Sequence, residues 1–123
     1  MDIIHSYTRA QAITDGVLVD ITETASEAGF KYPVAMTSAA HADAVAWDQA
    51  GHVQDEQGRL WDVLMMARLA ALSGTQGDRS TFQVLRIPNE PKAQTAHLTT
   101  LHMTIGPGDT SAPVITITTP DED

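Results

Sequence analysis

Five histidines are the residues of this 123-residue chain that could bind a metal or exchange protons near neutral pH. None belongs to an HExxH or HxH pattern, and none lies four residues from another, the spacing that puts two ligands on one face of a helix. His97 and His102 are five residues apart on one predicted strand and therefore face opposite sides. The sequence predicts no metal site and no bound cofactor. The remaining histidines are His5, His41 and His52.

Carboxylates and hydroxyls are the other groups that could act as acid, base or nucleophile. Two pairs of acids have a spacing that could serve acid–base chemistry: Asp43 with Asp48, and Asp55 with Glu56. Neither pair is surrounded by apolar residues that would raise the pKa of a carboxyl group. No serine stands in a GxSxG or SxxK context. We therefore predict no catalytic residue. We interpret these four acids, named here the acidic quartet, as an exposed surface that could contact a protein partner.

The charge balance favours a protein partner over nucleic acid. Sixteen Asp and Glu residues oppose seven Lys and Arg residues, giving a formal net charge of −9. That charge repels phosphate groups and forgoes the counterion release that drives binding to DNA or RNA. It fits either solubility alone or a surface complementary to a basic protein, for example one that itself binds nucleic acid.

Length and composition predict a single cytoplasmic domain. A chain of 123 residues, 42% of them hydrophobic, can bury one ordinary core. It contains no cysteine, which excludes disulfides and thiolate zinc sites. No run has signal-peptide character, and none approaches the roughly 20 apolar residues that span a bilayer. We expect one domain over residues 1–119, a frayed acidic tail at residues 120–123, and no membrane association.

Helical spacing predicts three short helices and a long one. The short helices are one between the cap Ser6 and the stop Gly16, one over about Ile21–Ala28, and one after the cap Thr37. A polar loop, Asp48–Gly58, should precede the long helix Arg59–Leu72.

Apolar residues cover more than half the circumference of that long helix, with Arg59 and Asp62 marking its narrow exposed side. We therefore expect Trp61, in the first turn, to be buried and to anchor the helix.

Three residues of the long helix do not fit a simple core role. Arg68 falls inside the apolar sector, so its guanidinium should reach out to solvent or meet a carboxylate. Met66 and Leu69 lie next to Asp62, where solvent is expected. A homodimer would cover such exposed apolar side chains.

From residue 81 onward the hydrophobic period changes from helical to two. Residues 81–87, 97–105 and 114–118 alternate apolar and polar side chains, separated by proline- and glycine-containing turns. Leu101, Met103 and Ile105 should point inward, with His102 and Thr104 outward. The sequence thus predicts an α+β fold in which short N-terminal helices and one long core helix pack on a three- or four-stranded antiparallel sheet.

Three stretches of the chain, SYTRAQAITDGVLVDIT, GRLWDVLMMA and GPGDTSAPVITI, resemble a group of small uncharacterised proteins encoded on bacterial plasmids and other mobile elements. The resemblance covers nearly the whole chain and transfers no catalytic residue. It implies an accessory role in maintenance, transfer or evasion of host defence. Compact acidic proteins of that setting are similar to anti-CRISPR and antirestriction inhibitors, many of which occupy basic nucleic-acid-binding surfaces.

Two functions stay open on these grounds. The first is a non-enzymatic accessory protein that offers the acidic quartet to a basic protein or defence complex, without binding nucleic acid directly. The alternative is a small enzyme or ligand-binding domain whose site is assembled from residues distant in sequence. The candidates for that site are Arg68, Arg86, His97 and His102.

Overall fold

A computed structural model describes residues 7–49, 55–73, 78–90, 92–93 and 95–122. These residues form helices and strands in the order α1 (Arg9–Thr14), β1 (Leu18–Asp20), α2 (Thr22–Glu27), β2 (Val34–Thr37), α3 (Ser38–Ala44), α4 (Glu56–Leu72), β3 (Arg79–Arg86), β4 (His97–Pro107) and β5 (Pro113–Thr118). No helix in these ranges combines the length and apolar character that a membrane crossing requires.

The strands form one five-stranded sheet in the order β1-β2-β5-β4-β3. The predicted meander of β3, β4 and β5 is confirmed, with antiparallel pairing throughout. The expected three- or four-stranded antiparallel sheet is nevertheless too small, because β2 joins β5 in parallel and β1 extends the sheet beyond it. Strands β1 and β2 have three and four residues, which is too short for a clear alternating pattern.

The hydrophobic core lies between one face of the sheet, called here the core face, and helices α2, α3 and α4. Leu101 and Met103 point inward as predicted, while Ile105 is more exposed at the end of the row. Fully buried residues on both sides of the interface include Val34, Met36, Leu101 and Ile117 from the sheet and Ala40, Val63, Leu64 and Ala67 from the helices.

Helix α1 is tied to the opposite face of the sheet, called here the outer face. Thr8 caps the helix in a capping box with Gln11, whereas the predicted cap Ser6 lies outside the described residues. The helix ends before Gly16, which has φ of 81°, a conformation that favours glycine. The Arg9 guanidinium donates to the Thr116 hydroxyl and the Ile115 carbonyl, each at 2.7 Å.

Helix α4 begins at Glu56, three residues before the predicted start. Asp55 explains the difference, because its side chain accepts the Gly58 N–H at 2.6 Å and caps the helix within the stretch expected to be a loop.

The orientation of α4 also differs from the expected one. Arg59, expected on the exposed side, is 2% exposed, and Trp61, expected to be an anchor, is 38% exposed. The two findings have one cause: residues two apart on a helix lie about 200° apart, so burying Arg59 turns Trp61 outward.

Residues Pro120–Glu122 form a short 3-10 turn, within the stretch 120–123 that the sequence predicts to be a frayed tail. Glu122 accepts hydrogen bonds from the Thr37 hydroxyl at 2.6 Å and the Thr119 N–H at 2.8 Å. Partial burial pushes the pKa of the Glu122 carboxyl upward, but these hydrogen bonds outweigh it and hold the pKa below its ordinary value.

Candidate functional site

Within the described ranges, strand β3 forms one edge of the sheet, since β4 is its neighbour on one side and the strand order ends with it. The Ile105 N–H donates to the Asp78 carbonyl, so the pair Asp78 and Ile105 is a hydrogen-bonded one. In an antiparallel ladder such pairs alternate with pairs whose backbone groups point away from each other. Thr81, Gln83 and Leu85 occupy the alternate positions. Their N–H and C=O groups therefore point toward the free edge.

An apolar groove of about 390 Å³ follows this edge, from α4 on the core side to Leu85 and Leu98 on the outer face. We call it the β3 groove. Leu85 and Leu98 face each other across β3 and β4, and each is 62% exposed. The residues lining the groove are Asp62, Met65 and Met66 from α4, Gln83, Val84, Leu85 and Arg86 from β3, and Leu98 from β4.

The side of α4 that faces away from the sheet carries further apolar side chains. Trp61, Met65 and Leu69 are four residues apart, and Leu72 follows three residues later, so the set forms one stripe along the helix. Trp61, Leu69 and Leu72 are exposed. Because α4 also packs on the core, it is apolar on nearly all sides, a pattern typical of helices that are covered.

Two buried arginines support the end of the β3 groove. The Arg59 guanidinium donates to the carbonyls of Val45 at 2.9 Å and Ile87 at 3.1 Å and lies 4.9 Å from the centre of the Trp47 ring. Burial, together with the neighbouring charge of Arg86, lowers the pKa of Arg59, while Glu56 opposes the shift.

The second of these arginines, Arg86, connects the core to the groove itself. It pairs with Asp62, whose carboxylate oxygen lies 3.1 Å from the guanidinium. The pair fixes Asp62 at the groove, with its carboxylate largely exposed to solvent.

All four residues of the acidic quartet are exposed. Two of them, Asp55 and Glu56, also form hydrogen bonds that stabilise the fold. Asp55 caps α4. The Glu56 carboxylate accepts the backbone N–H of Trp47 at 2.9 Å, which brings Glu56 beside Asp48. Asp43 lies exposed on α3, and no contact among the described residues joins it to the other three. Asp48, Asp55 and Glu56 therefore flank the N-terminal end of α4.

The four residues predicted for an assembled site do not come together as one group. Arg86 pairs with His97 across β3 and β4, and His97 and His102 lie on opposite faces as predicted. Arg68 is an exposed residue of α4, and its guanidinium lies close to Gly29. Over the described ranges, no group of three or more His, Asp or Glu side chains could hold a metal ion.

Sequence reasoning missed the groove because its position depends on the order of the strands. The alternation in residues 81–87 identifies a strand, but it does not indicate that the strand lies at an edge. An available signal was the pair of leucines, Leu85 and Leu98, at polar-face positions of two adjacent strands.

Comparison with known proteins gives a family but no described activity. No curated protein and no solved structure matches the chain significantly. A model of a protein family matches residues 1–123, the whole of the chain. The chain therefore belongs to the family described as Family of unknown function (DUF6573).

Proposed function

We propose that this protein is a non-enzymatic binding module whose protein partner adds an extended basic segment to the free edge of β3. The observation that carries the proposal is the β3 groove, in which outward-pointing backbone groups lie beside exposed apolar side chains. Exposed strand edges of this kind accept a further strand from a partner, through main-chain hydrogen bonds and pockets for alternate side chains.

The dimensions of the edge suit a short peptide segment. Strand β3 has eight residues and is about 27 Å long at about 3.4 Å per residue. The backbone groups of Thr81, Gln83 and Leu85 offer both donors and acceptors to a partner segment. Apolar side chains at every second position of that segment would lie against Leu85 and Leu98 on the outer face, and the side chains between them would point toward α4.

Charge supports a basic partner. The net charge of −9 attracts cationic segments over a distance of about one Debye length. The Asp62 carboxylate lines the groove, and the exposed acids Asp48, Asp55 and Glu56 flank the N-terminal end of the same helix. Lysine and arginine residues between the apolar positions of the partner segment would face these carboxylates.

We also propose a biological setting for this binding. A basic segment of this kind is typical of proteins that bind nucleic acid. The resemblance to proteins of plasmids and other mobile elements supports a role for this chain as an accessory protein that acts in the cytoplasm, as an inhibitor of a host defence complex of the anti-CRISPR or antirestriction type. Its acidic charge suits it to occupying a basic surface, not to binding nucleic acid itself.

The test uses random peptides displayed as a library and selected on the wild-type protein. We expect the enriched peptides to alternate apolar residues with lysine or arginine. A selected peptide should bind Leu85→Lys at least about tenfold more weakly, since the new charge blocks the edge and repels the peptide. The matched control is Val17→Lys, which makes the same change at an exposed apolar residue near the other edge of the sheet.

The outcomes separate this proposal from its competitors. Equal binding of the peptide to both variants would contradict it, as would a selection that yields no saturable binder. Light scattering supplies a further check: a dimer of the wild type that Leu85→Lys dissociates would assign the edge to a second copy of the chain and overturn the proposal. If Asp43→Asn with Asp48→Asn left the salt dependence of binding unchanged, those two acids would not belong to the surface.

A further inference from the structure

A second cavity, of about 380 Å³, opens between the segment after α2, the C-terminal end of α4 and the core face of the sheet. We call it the α4 pocket. Its volume is within the range of small-molecule sites. Met103 and Ile115 contribute from the sheet, and Phe30 from the segment after α2. The lining comes from five separate parts of the chain, so no local sequence motif could indicate it.

The hydroxyl of Ser80 is the polar group inside the α4 pocket. Ser80 is 6% exposed and lies on the core face of β3, where it pairs with Met103 of β4. Among the described residues its hydroxyl has no hydrogen-bond partner. A buried hydroxyl without a partner is costly, and in a cavity it is available to a ligand.

The rim of the α4 pocket reverses the sign of charge that dominates the molecule. Arg68 and Lys31 contribute two cations and Asp78 a single carboxylate, in a protein whose net charge is −9. The Arg68 guanidinium lies close to Gly29, since a Cβ at that position would come within 3.3 Å of its Cζ atom. Gly29 also has φ of 102°, which favours glycine. The backbone thus leaves room for Arg68 at the rim.

We infer that the α4 pocket binds a small amphipathic carboxylic acid. The carboxylate lies at the rim against Arg68 and Lys31, because a guanidinium and a carboxylate form charge-assisted hydrogen bonds. The apolar body lies against Phe30, Met103 and Ile115. One polar atom on that body bonds with the Ser80 hydroxyl, which supplies specificity within a mainly apolar site.

Three related compounds test both polar contacts. The probes are 3-(4-hydroxyphenyl)propanoate, the same acid without its hydroxyl, and the amide of the hydroxylated acid. Binding is measured by isothermal titration calorimetry and by protein chemical shifts. We expect the hydroxylated acid to bind most tightly, with saturable shifts at residues that line the pocket. Loss of the hydroxyl group, or replacement of the carboxylate by the neutral amide, should weaken binding by about tenfold.

Two variants assign each contact to a residue. Arg68→Gln should reduce the preference for the acid over the amide, with Lys31 still present, and keep the preference for the hydroxyl. Ser80→Ala should remove the preference for the hydroxyl and keep the preference for the acid. Ser80→Ala should also leave the melting temperature of the free protein unchanged or higher, because it removes a buried hydroxyl that has no partner. A purely structural role of Ser80 predicts a lower melting temperature.

A filled pocket serves as the matched control. Ala71→Met places a larger side chain into the cavity from α4 and should eliminate binding of all three probes. Ala42→Met makes the same change at an exposed position of α3 and should bind like the wild type. The inference is overturned if no probe binds saturably, if Arg68→Gln and Ser80→Ala each weaken all three probes equally, or if Ala71→Met leaves binding intact.

Discussion

Arg59 is a charged side chain in a position that a globular protein usually gives to an apolar one. Its guanidinium donates to the carbonyls of Val45 and Ile87, which belong to the segments that follow α3 and β3. Arg59→Ala would leave these two carbonyls without their donor and open a cavity, and should lower the free energy of unfolding by about 3 kcal/mol or more. Trp61→Ala should cost about 1 to 2 kcal/mol, because the indole is 38% exposed.

Urea unfolding of both variants measures this order. Arg59→Lys is the control, because an ammonium keeps the charge but cannot reach both carbonyls with fixed planar geometry. It should fall between the wild type and Arg59→Ala. If Trp61→Ala proved the more damaging of the two substitutions, the orientation of α4 would be wrong and Trp61 would be the core anchor that the sequence alone predicts.

At the scale of elements, the start of α4 depends on one cap. The Asp55 side chain accepts the Gly58 N–H, and its negative charge lies at the positive end of the helix. Asp55→Ala should therefore destabilise the protein by about 1 kcal/mol in thermal or urea unfolding. Asp55→Asn should retain most of that stability, because an asparagine oxygen accepts the same bond. Equal loss in both variants would assign the effect to charge alone.

The strands of the sheet show which features of the fold a sequence pattern can predict. Alternation in β3, β4 and β5 predicted the meander, because each of these strands is long enough to display a period of two. The parallel pairing of Val34 with Ile115 joins residues 81 positions apart and leaves no local pattern. That pairing builds the sheet outward from β5 on the side away from β3. It follows that no inspection of β3 alone could identify it as an edge strand or predict the groove beside it.

Sequence patterns also predict only part of the candidate site. Charge and exposure of the acidic quartet were readable from composition and polarity, yet the cap formed by Asp55 and the bond from the Trp47 N–H to Glu56 were not. Those contacts depend on how α3 and α4 meet. Substitution of all four acids would therefore change the stability of α4 along with any binding surface, so Asp43 and Asp48, neither of which caps α4, are the better acids to test for binding.

At the scale of the whole molecule, sixteen acids against seven bases leave a net charge of −9 on a chain of 123 residues. Self-repulsion of that charge disfavours the folded state, where the charges are closer together than in the unfolded chain. Salt screens the repulsion, with a Debye length of about 10 Å at about 0.1 M. The melting temperature at pH 7 should therefore rise by about 4 °C between about 0.02 M and about 0.5 M NaCl, which corresponds to about 1 kcal/mol.

The control for this salt effect is the double variant Asp43→Lys with Asp48→Lys. It changes the net charge from −9 to −5, since each substitution adds two positive units, and the smaller charge should reduce the salt-dependent rise in melting temperature. Chloride is the anion of choice because sulfate strengthens apolar burial by itself. A melting temperature that falls with NaCl would mean that attractive ion pairs outweigh the repulsion in the folded protein.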